Sequence, residues 1–105
     1  MATDNTDRLK AQLLTVSGRP GRDLTVRALI AFLAIYEAPA SKLSTMHIAE
    51  LAKIDKPAAS RALDALDLRE LVTRTTDPAD RRRIIIGRTP AGRSLFAALN
   101  KETKQ

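Results

Sequence analysis

The sequence predicts a mainly α fold carrying one small β-hairpin, and changes of rhythm along the chain carry that prediction. Up to Leu71 the apolar residues recur at spacings of three and four, in four segments parted by SGRPG, Ala38-Pro39-Ala40 and Ile54-Asp55. From Val72 to Arg88 the spacing falls to two, and after Thr89-Pro90 the helical spacing returns. With 105 residues, 44% of them apolar, the chain can bury one core and has no room for a second, so a single domain is expected over residues 1–105.

Each element has a local reason. Residues 4 to 16 place Leu9, Leu13 and Val16 on one stripe of a short amphipathic helix, ended by SGRPG at 17 to 21. Thr25 can cap a second helix whose apolar face is Leu29, Ile30, Leu33 and Ala34, and Ala38-Pro39-Ala40 stops it. An extended piece at Lys42-Leu43 leads to Ser44 or Thr45 as the cap of a third, two-turn helix carrying Ile48, Leu51 and Ala52. After a tight corner at Ile54-Asp55, Asp55 caps a fourth helix. Pro57 sits in its first turn, where a missing N–H costs nothing, and Ala59, Ala62, Leu63 and Leu66 point inward.

Val72 to Thr75 then reads as a strand, TDPAD as a turn, and Arg83 to Arg88 as the returning strand. Thr89-Pro90 opens a last helix with Ala91, Leu95, Phe96 and Leu99 as its stripe. This is the element order of a winged helix-turn-helix, with the helix-turn-helix at about 45–69 and the wing at about 72–88.

Charge narrows the function. Lys and Arg outnumber Asp and Glu by 18 to 12, a net charge of +6, and residues 51 to 105 hold twelve of the eighteen basic groups. That asymmetry favours an anionic partner, nucleic acid ahead of membrane surface. The absence of cysteine excludes disulfides and thiolate metal sites and fits a cytoplasmic protein. MATDNTDRLK is not a signal peptide, and no apolar run approaches membrane-spanning length. Ser60 and Ser94 sit in no nucleophile elbow, Asp77 and Asp80 share a turn, and His47 is the only histidine. An enzyme, a cofactor and a metal site are therefore not expected.

From Leu24 to Leu99, roughly three-quarters of the chain, the sequence resembles the multiple-antibiotic-resistance regulator (MarR) family of bacterial transcription factors. The matching pieces are LT at 24 to 25, IAELAKIDKPAASRALDALDLRELVTR at 48 to 74 and DPADRRRIIIGRTPAGRSL at 77 to 95. The last contains the family's wing pattern of Asp-x-Arg, a short apolar strand and Thr-x-x-Gly, here Asp80-Arg81-Arg82, Ile84 to Ile86, and Thr89 to Gly92. The resemblance implies transcription regulation by binding double-stranded DNA, usually as a symmetric homodimer, and leaves a small-molecule effector open. Two positions depart from it. Glu70 stands where the family has a glycine and a left-handed turn is expected. Arg88 replaces a core leucine, so that end of the hairpin is expected to be wetter or to contact something.

The candidate interface follows. On the fourth helix, Lys56, Pro57, Ser60 and Arg61 are candidate DNA contacts, and small Ala58 and Ala59 would let one flank approach a major groove. Lys56, beside the helix N-terminus, suits a phosphate, and the planar fork of Arg61 suits a guanine edge. In the wing, Arg81, Arg82 and Arg83 are candidates, with Asp80, and Asp77 as a second choice, holding one of them in an ion pair. The family pattern implies that Arg82 reaches into a minor groove. Strand alternation would turn Arg81 and Arg83 to the opposite side, toward phosphates or solvent. The bland alternatives are a surface helix and a solvated turn. Leu9, Leu13, Phe96 and Leu99 are the candidate dimer contacts, and these residues, with Leu95, could be core, dimer surface or both. A protein-interaction module of a replication or transcription assembly, and a nonspecific nucleic-acid binder, remain as rival functions.

Overall fold

The computed structural model describes residues 3–17, 24–39 and 43–103. Its elements are α1 (Thr3–Ser17), α2 (Val26–Glu37), α3 (Thr45–Ala52), α4 (Lys56–Leu68), β1 (Val72–Asp77), β2 (Asp80–Arg88) and α5 (Pro90–Thr103), which is the winged helix-turn-helix order. Residues 18 to 21 of SGRPG, with Ala40 and Lys42, lie outside the described residues.

The helix starts are set by side chains that satisfy otherwise orphaned amides. Thr25 Oγ1 accepts from Ala28 N at 3.1 Å, and Asp55 Oδ1 from Ala58 N at 2.8 Å. Ser44, not Thr45, caps α3, accepting from His47 N. Thr89 Oγ1 caps α5 by accepting from Gly92 N at 2.9 Å, and it donates to the Glu70 carbonyl at 2.8 Å.

The ends of α3 and α4 share one device. After α3, Lys53 turns left-handed (φ 59°) and Ile54 N reaches back to the Ala49 carbonyl at 3.0 Å. After α4, Glu70 does the same (φ 59°) and Leu71 N reaches the Leu66 carbonyl at 2.9 Å. Both are Schellman closures, in which the left-handed residue is usually glycine. The turn expected at Glu70 is therefore present, and a residue with a Cβ bears its strain.

Phe32, Ile35, Ile48, Leu63, Leu66, Val72 and Ile86 are the large side chains sealed in the core. On α2 the buried stripe is Ala28, Ala31, Phe32 and Ile35, one step from the face expected at Leu29, Ile30, Leu33 and Ala34. Leu29, Leu33 and Ala34 pack around its rim and Ile30 is exposed. A helix apolar nearly all round offers no polar boundary from which to locate its centre, and packing against α3, α4 and α5 decides it. On α3 the expected Ile48 and Ala52 are buried, and Ala49 joins them in place of Leu51, which is exposed.

The hairpin is longer and its loop shorter than TDPAD suggested. Regular pairing runs from Val72 opposite Arg88 to Thr76 opposite Ile84, then jumps to Asp77 opposite Asp80. Pro78 and Ala79 alone close the loop, and Arg81, Arg82 and Arg83 bulge from β2 without partners across the ladder. Ile86 N donates to the Leu43 carbonyl at 2.9 Å and Ser44 bridges Ile85, so the wing base is fastened to the residues that open α3.

One polar cluster ties the wing to the helices. Tyr36 Oη donates to the Leu71 carbonyl at 2.7 Å and accepts from Thr89 N at 3.0 Å. Its ring stacks on Phe96 at 5.7 Å between centroids. Arg88 lies over that ring and donates from Nε and Nη2 to the Ile35 carbonyl, and from Nη2 to that of Ala38, so it caps the C-terminus of α2. Arg88 thus contacts backbone and ring rather than lying in a wet end. Gly92 is obligatory here, because a Cβ would collide with Tyr36 Oη and the Leu71 carbonyl. The spacing Thr89-x-x-Gly92 therefore combines a helix cap with a gap for a phenol.

Replacing Glu70 with glycine removes the left-handed penalty of roughly 1–2 kcal/mol and returns part of it as unfolded-chain entropy. Glu70→Gly is expected to stabilise the fold by about 0.5–1 kcal/mol, seen as a higher urea midpoint at unchanged m. A lower midpoint would mean that the Glu70 side chain supports the corner.

Candidate nucleic-acid interface

Capping by Asp55 aims the first turn of α4 outward. Lys56, Pro57 and Arg61 are exposed and Ser60 is half-buried. Ala58 and Ala59 are buried, so their small size lets α4 lie close to its neighbours in the core and does not thin its outer flank.

Four of the expected residues come together. Lys56 and Ser60 of α4 face Arg82 and Arg83 of the wing across a groove floored by Ile84 and walled by Ser44, Thr45, Met46 and His47 at the start of α3. Ile84 is only half-buried, as the groove leaves one side of it open. Arg82 and Arg83 share this groove, while Arg81 lies against Thr76, Asp77 and Pro78 at the tip. Alternation thus fails at the three arginines, because the bulge breaks the two-residue period that would separate Arg82 from Arg83.

The aspartates act on the backbone more than on the guanidinium groups. Asp77 Oδ1 accepts from Ala79 N at 2.9 Å, closing the loop, and Asp80 Oδ1 accepts from Arg82 N at 3.1 Å. Asp80 also meets Arg82 Nε at 3.4 Å, but the Arg82 side chain is 93% exposed, so water screens the pair and it adds little stability. The Arg82 guanidinium remains available to a partner.

A firmer brace lies at the other end of the hairpin. Arg74 on β1 reaches Asp64 at 2.8 Å and Asp67 at 3.1 Å, joining the wing to α4. Partial burial favours its neutral form, but the hydrogen bonds and negative charge of the two carboxylates outweigh this and hold its pKa above the ordinary arginine value. The pair therefore stays charged on the arginine side at any working pH.

Arg61 sits on the opposite flank of α4 from the groove. With Ala58, Ala62 and Ala65 it lines a cleft against Thr25, Val26 and Arg27 at the start of α2. Sequence reasoning missed Arg27 and Arg74. The signal for Arg27 was its place two residues after a capping threonine, and that for Arg74 was a lone arginine on a strand following acidic residues on the preceding helix.

The four expected dimer residues divide. Leu9 and Leu13 on α1 are 55% and 45% exposed, and Leu14 beside them is exposed too. Leu99 is buried and belongs to the core, and Phe96 is half-buried against Tyr36 and Phe32. The reason is that α5 turns its stripe toward α1 and α2 within the chain, with Gln12 reaching the Leu99 carbonyl. His47 Nδ1 lies 2.8 Å from Ser44 Oγ at the start of α3. Among the described residues no cluster of three or more His, Asp or Glu could hold a metal ion, and no helix is long and apolar enough to cross a membrane.

The sequence model of the MarR family matches residues 11–83. By sequence, no curated protein matches the chain. Among solved structures, a mutant of S. aureus MepR bound to an oligodeoxyribonucleotide superposes with a TM-score of 0.81 at 22% identity, over 95% of this chain and 70% of that one. Bordetella bronchiseptica BpsR, in a structure addressing regulation of its DNA binding by 6-hydroxynicotinic acid, gives 0.68 at 22% identity, over 94% and 74%. YusO from Bacillus subtilis gives 0.72 at 20%, over 93% and 66%.

Cutting the brace should loosen the wing without unfolding the protein. Arg74→Ala is expected to cost only about 0.5–1 kcal/mol, as its partners are partly exposed, while amide exchange in the hairpin accelerates relative to the helical core. Equal acceleration in both regions would show instead that Arg74 supports the whole fold.

Proposed function

The chain belongs to the MarR family of transcription regulators, and from that premise we propose that it binds double-stranded DNA as a homodimer, with α4 in the major groove and Arg82 in the adjacent minor groove. The observation that carries this reading is the shared groove: Lys56 and Ser60 on α4 and Arg82 and Arg83 on the wing face one channel, and only exposed Asp80 offsets their charge. A duplex backbone matches that channel in sign, and a helix beside a projecting ribbon matches the adjacent grooves in shape. The oligodeoxyribonucleotide bound by the similar MepR structure supports the same reading.

In this arrangement Lys56 takes a phosphate beside the N-terminus of α4, and Pro57 and Ser60 lie against the backbone at the groove edge. Arg61, exposed on the flank of α4 that meets α2, reads a base edge. Arg82 enters a narrow minor groove, where negative potential is concentrated. Arg83 serves phosphates from inside the channel and Arg81 from the tip.

Competition binding against random DNA at fixed salt tests the assignment. Arg82→Ala is expected to weaken binding by on the order of 1–3 kcal/mol and to reduce preference for A·T flanks with the fold intact, while Arg61→Ala relaxes discrimination at a base pair within the half-site. Undiminished affinity of Arg82→Ala at physiological salt would reduce the wing to a solvated turn. Equal affinity of the parent protein for selected and random DNA would identify a nonspecific binder.

Dimerisation places two α4 helices on half-sites about one helical turn apart. The exposed leucines at positions 9, 13 and 14 of α1 are the surface available for it. A patch of three leucines is small, so the dimer is expected to be weak for the family. Leu13→Glu should shift sedimentation toward the monomer and weaken binding to a two-half-site duplex far more than to a single half-site. A parent protein that sediments as a strict monomer, free and on DNA, would remove this assembly.

A further inference from the structure

We infer that Arg27, on the first turn of α2, is a second backbone clamp: it holds a phosphate of the DNA strand on the side of α4 away from the wing. This inference rests on the proposed seating of α4 in a major groove.

The cleft between α2 and α4 carries two guanidinium groups, Arg27 and Arg61, both exposed. Its other lining residues are Thr25, Val26 and the alanines 58, 62 and 65, so among the described residues no carboxylate lines the cleft. Among the described residues neither arginine has a hydrogen-bond or ion-pair partner in the chain. The arginines that serve the fold are held, whereas Arg81 and Arg83 of the wing share the unpartnered state of Arg27 and Arg61 among the described residues. Arg74 is held by two aspartates, Arg88 by the end of α2, and Arg82 is at least touched by Asp80. Two like charges converging on one cleft without a counter-ion repel each other, and an anion seated between or beside them relieves that cost.

Position identifies the anion. A helix lying in a major groove has one sugar-phosphate strand along each of its flanks. One flank of α4 carries Lys56 and Ser60 toward Arg82 and Arg83, and the opposite flank carries Arg61 toward Arg27. The two clusters therefore fall where two strands of a duplex would run, and a phosphodiester is the ligand each would take. The exposed Val26 beside Arg27 offers an apolar shoulder suited to a deoxyribose face. Arg61 keeps its base-reading role from the same cleft, while Arg27, farther from the axis of α4, can reach only the backbone.

The test is salt-dependent binding of the full chain to a selected duplex and to random duplex. Arg27→Ala is expected to weaken both by the same factor, roughly fivefold, and to make the log K against log salt slope shallower by about 0.9 for the lost phosphate. Arg27→Lys should restore the slope, which a packing role would not predict. Phosphate ethylation interference should lose one protected position on the strand opposite the wing contact in Arg27→Ala and keep those belonging to Arg82. If the parent binds DNA and Arg27→Ala retains its affinity and slope, the clamp is wrong and the wing-side reading stands. If the parent binds no duplex at low salt, both fall. Loss of discrimination between the two duplexes in Arg27→Ala would also overturn the clamp, by making Arg27 a base reader.

Discussion

The phenol of Tyr36 is the joint on which the placement of the wing depends. A single oxygen donates to the carbonyl that follows the α4 exit turn and accepts from the amide that opens α5, so three backbone segments meet at one atom. Each neighbouring oddity of sequence follows from it. Gly92 is there because no Cβ fits beside the oxygen, Thr89 caps α5 while holding the Glu70 carbonyl, and Arg88 covers the ring while closing α2. Buried polar groups joined in this way specify one geometry, since a wrong register would leave several of them without partners in a region of low dielectric. The consequence is that α4 and the hairpin keep a fixed angle, and the channel between them keeps its width.

The basic residues divide into two kinds of work. Arg74 and Arg88 are turned onto the protein itself, one binding α4 to β1 and the other ending α2. Lys56, Arg61, Arg82 and Arg83 are exposed, Lys56 with the two wing arginines along the channel and Arg61 on the opposite flank of α4. Net charge alone does not distinguish these sets, and a count of +6 says nothing of where the field emerges. Because the inward arginines orient the elements that carry the outward ones, part of the positive charge supports the fold so that the rest can be presented at a set spacing.

Local chemistry was legible in the sequence, and long-range closure was not. Thr25, Asp55 and Thr89 cap helices within three residues of themselves, so their roles can be read from neighbours in the chain. The left-handed turn at Glu70 was readable through the resemblance despite the absence of glycine. The buried stripe of α2 was not, as its surface is apolar on too many sides for periodicity to fix its centre. The grouping of Lys56 and Ser60 with two of the wing arginines depends on a bulge that pairing alone creates. Tyr36 has partners 35 and 53 residues away, and no window of sequence joins them. Phe96 and Leu99 fit a dimer surface or a core equally well in isolation, and the packing of α1 and α2 against α5 takes them into the core.

The unpaired run Arg81 to Arg83 separates what the fold requires from what a partner would meet. The ladder is complete from Val72 to Thr76 and from Ile84 to Arg88, and the loop is shut by its own aspartates. Substitution, exchange of charge or a change of length at those three positions removes no cross-strand bond and opens no cavity. A lineage can therefore sample new wing tips at almost constant stability, while the joint at Tyr36 tolerates scarcely any replacement. The hairpin is conservative at its root and evolvable at its tip, so a change in what the tip presents need not pass through a poorly folded intermediate.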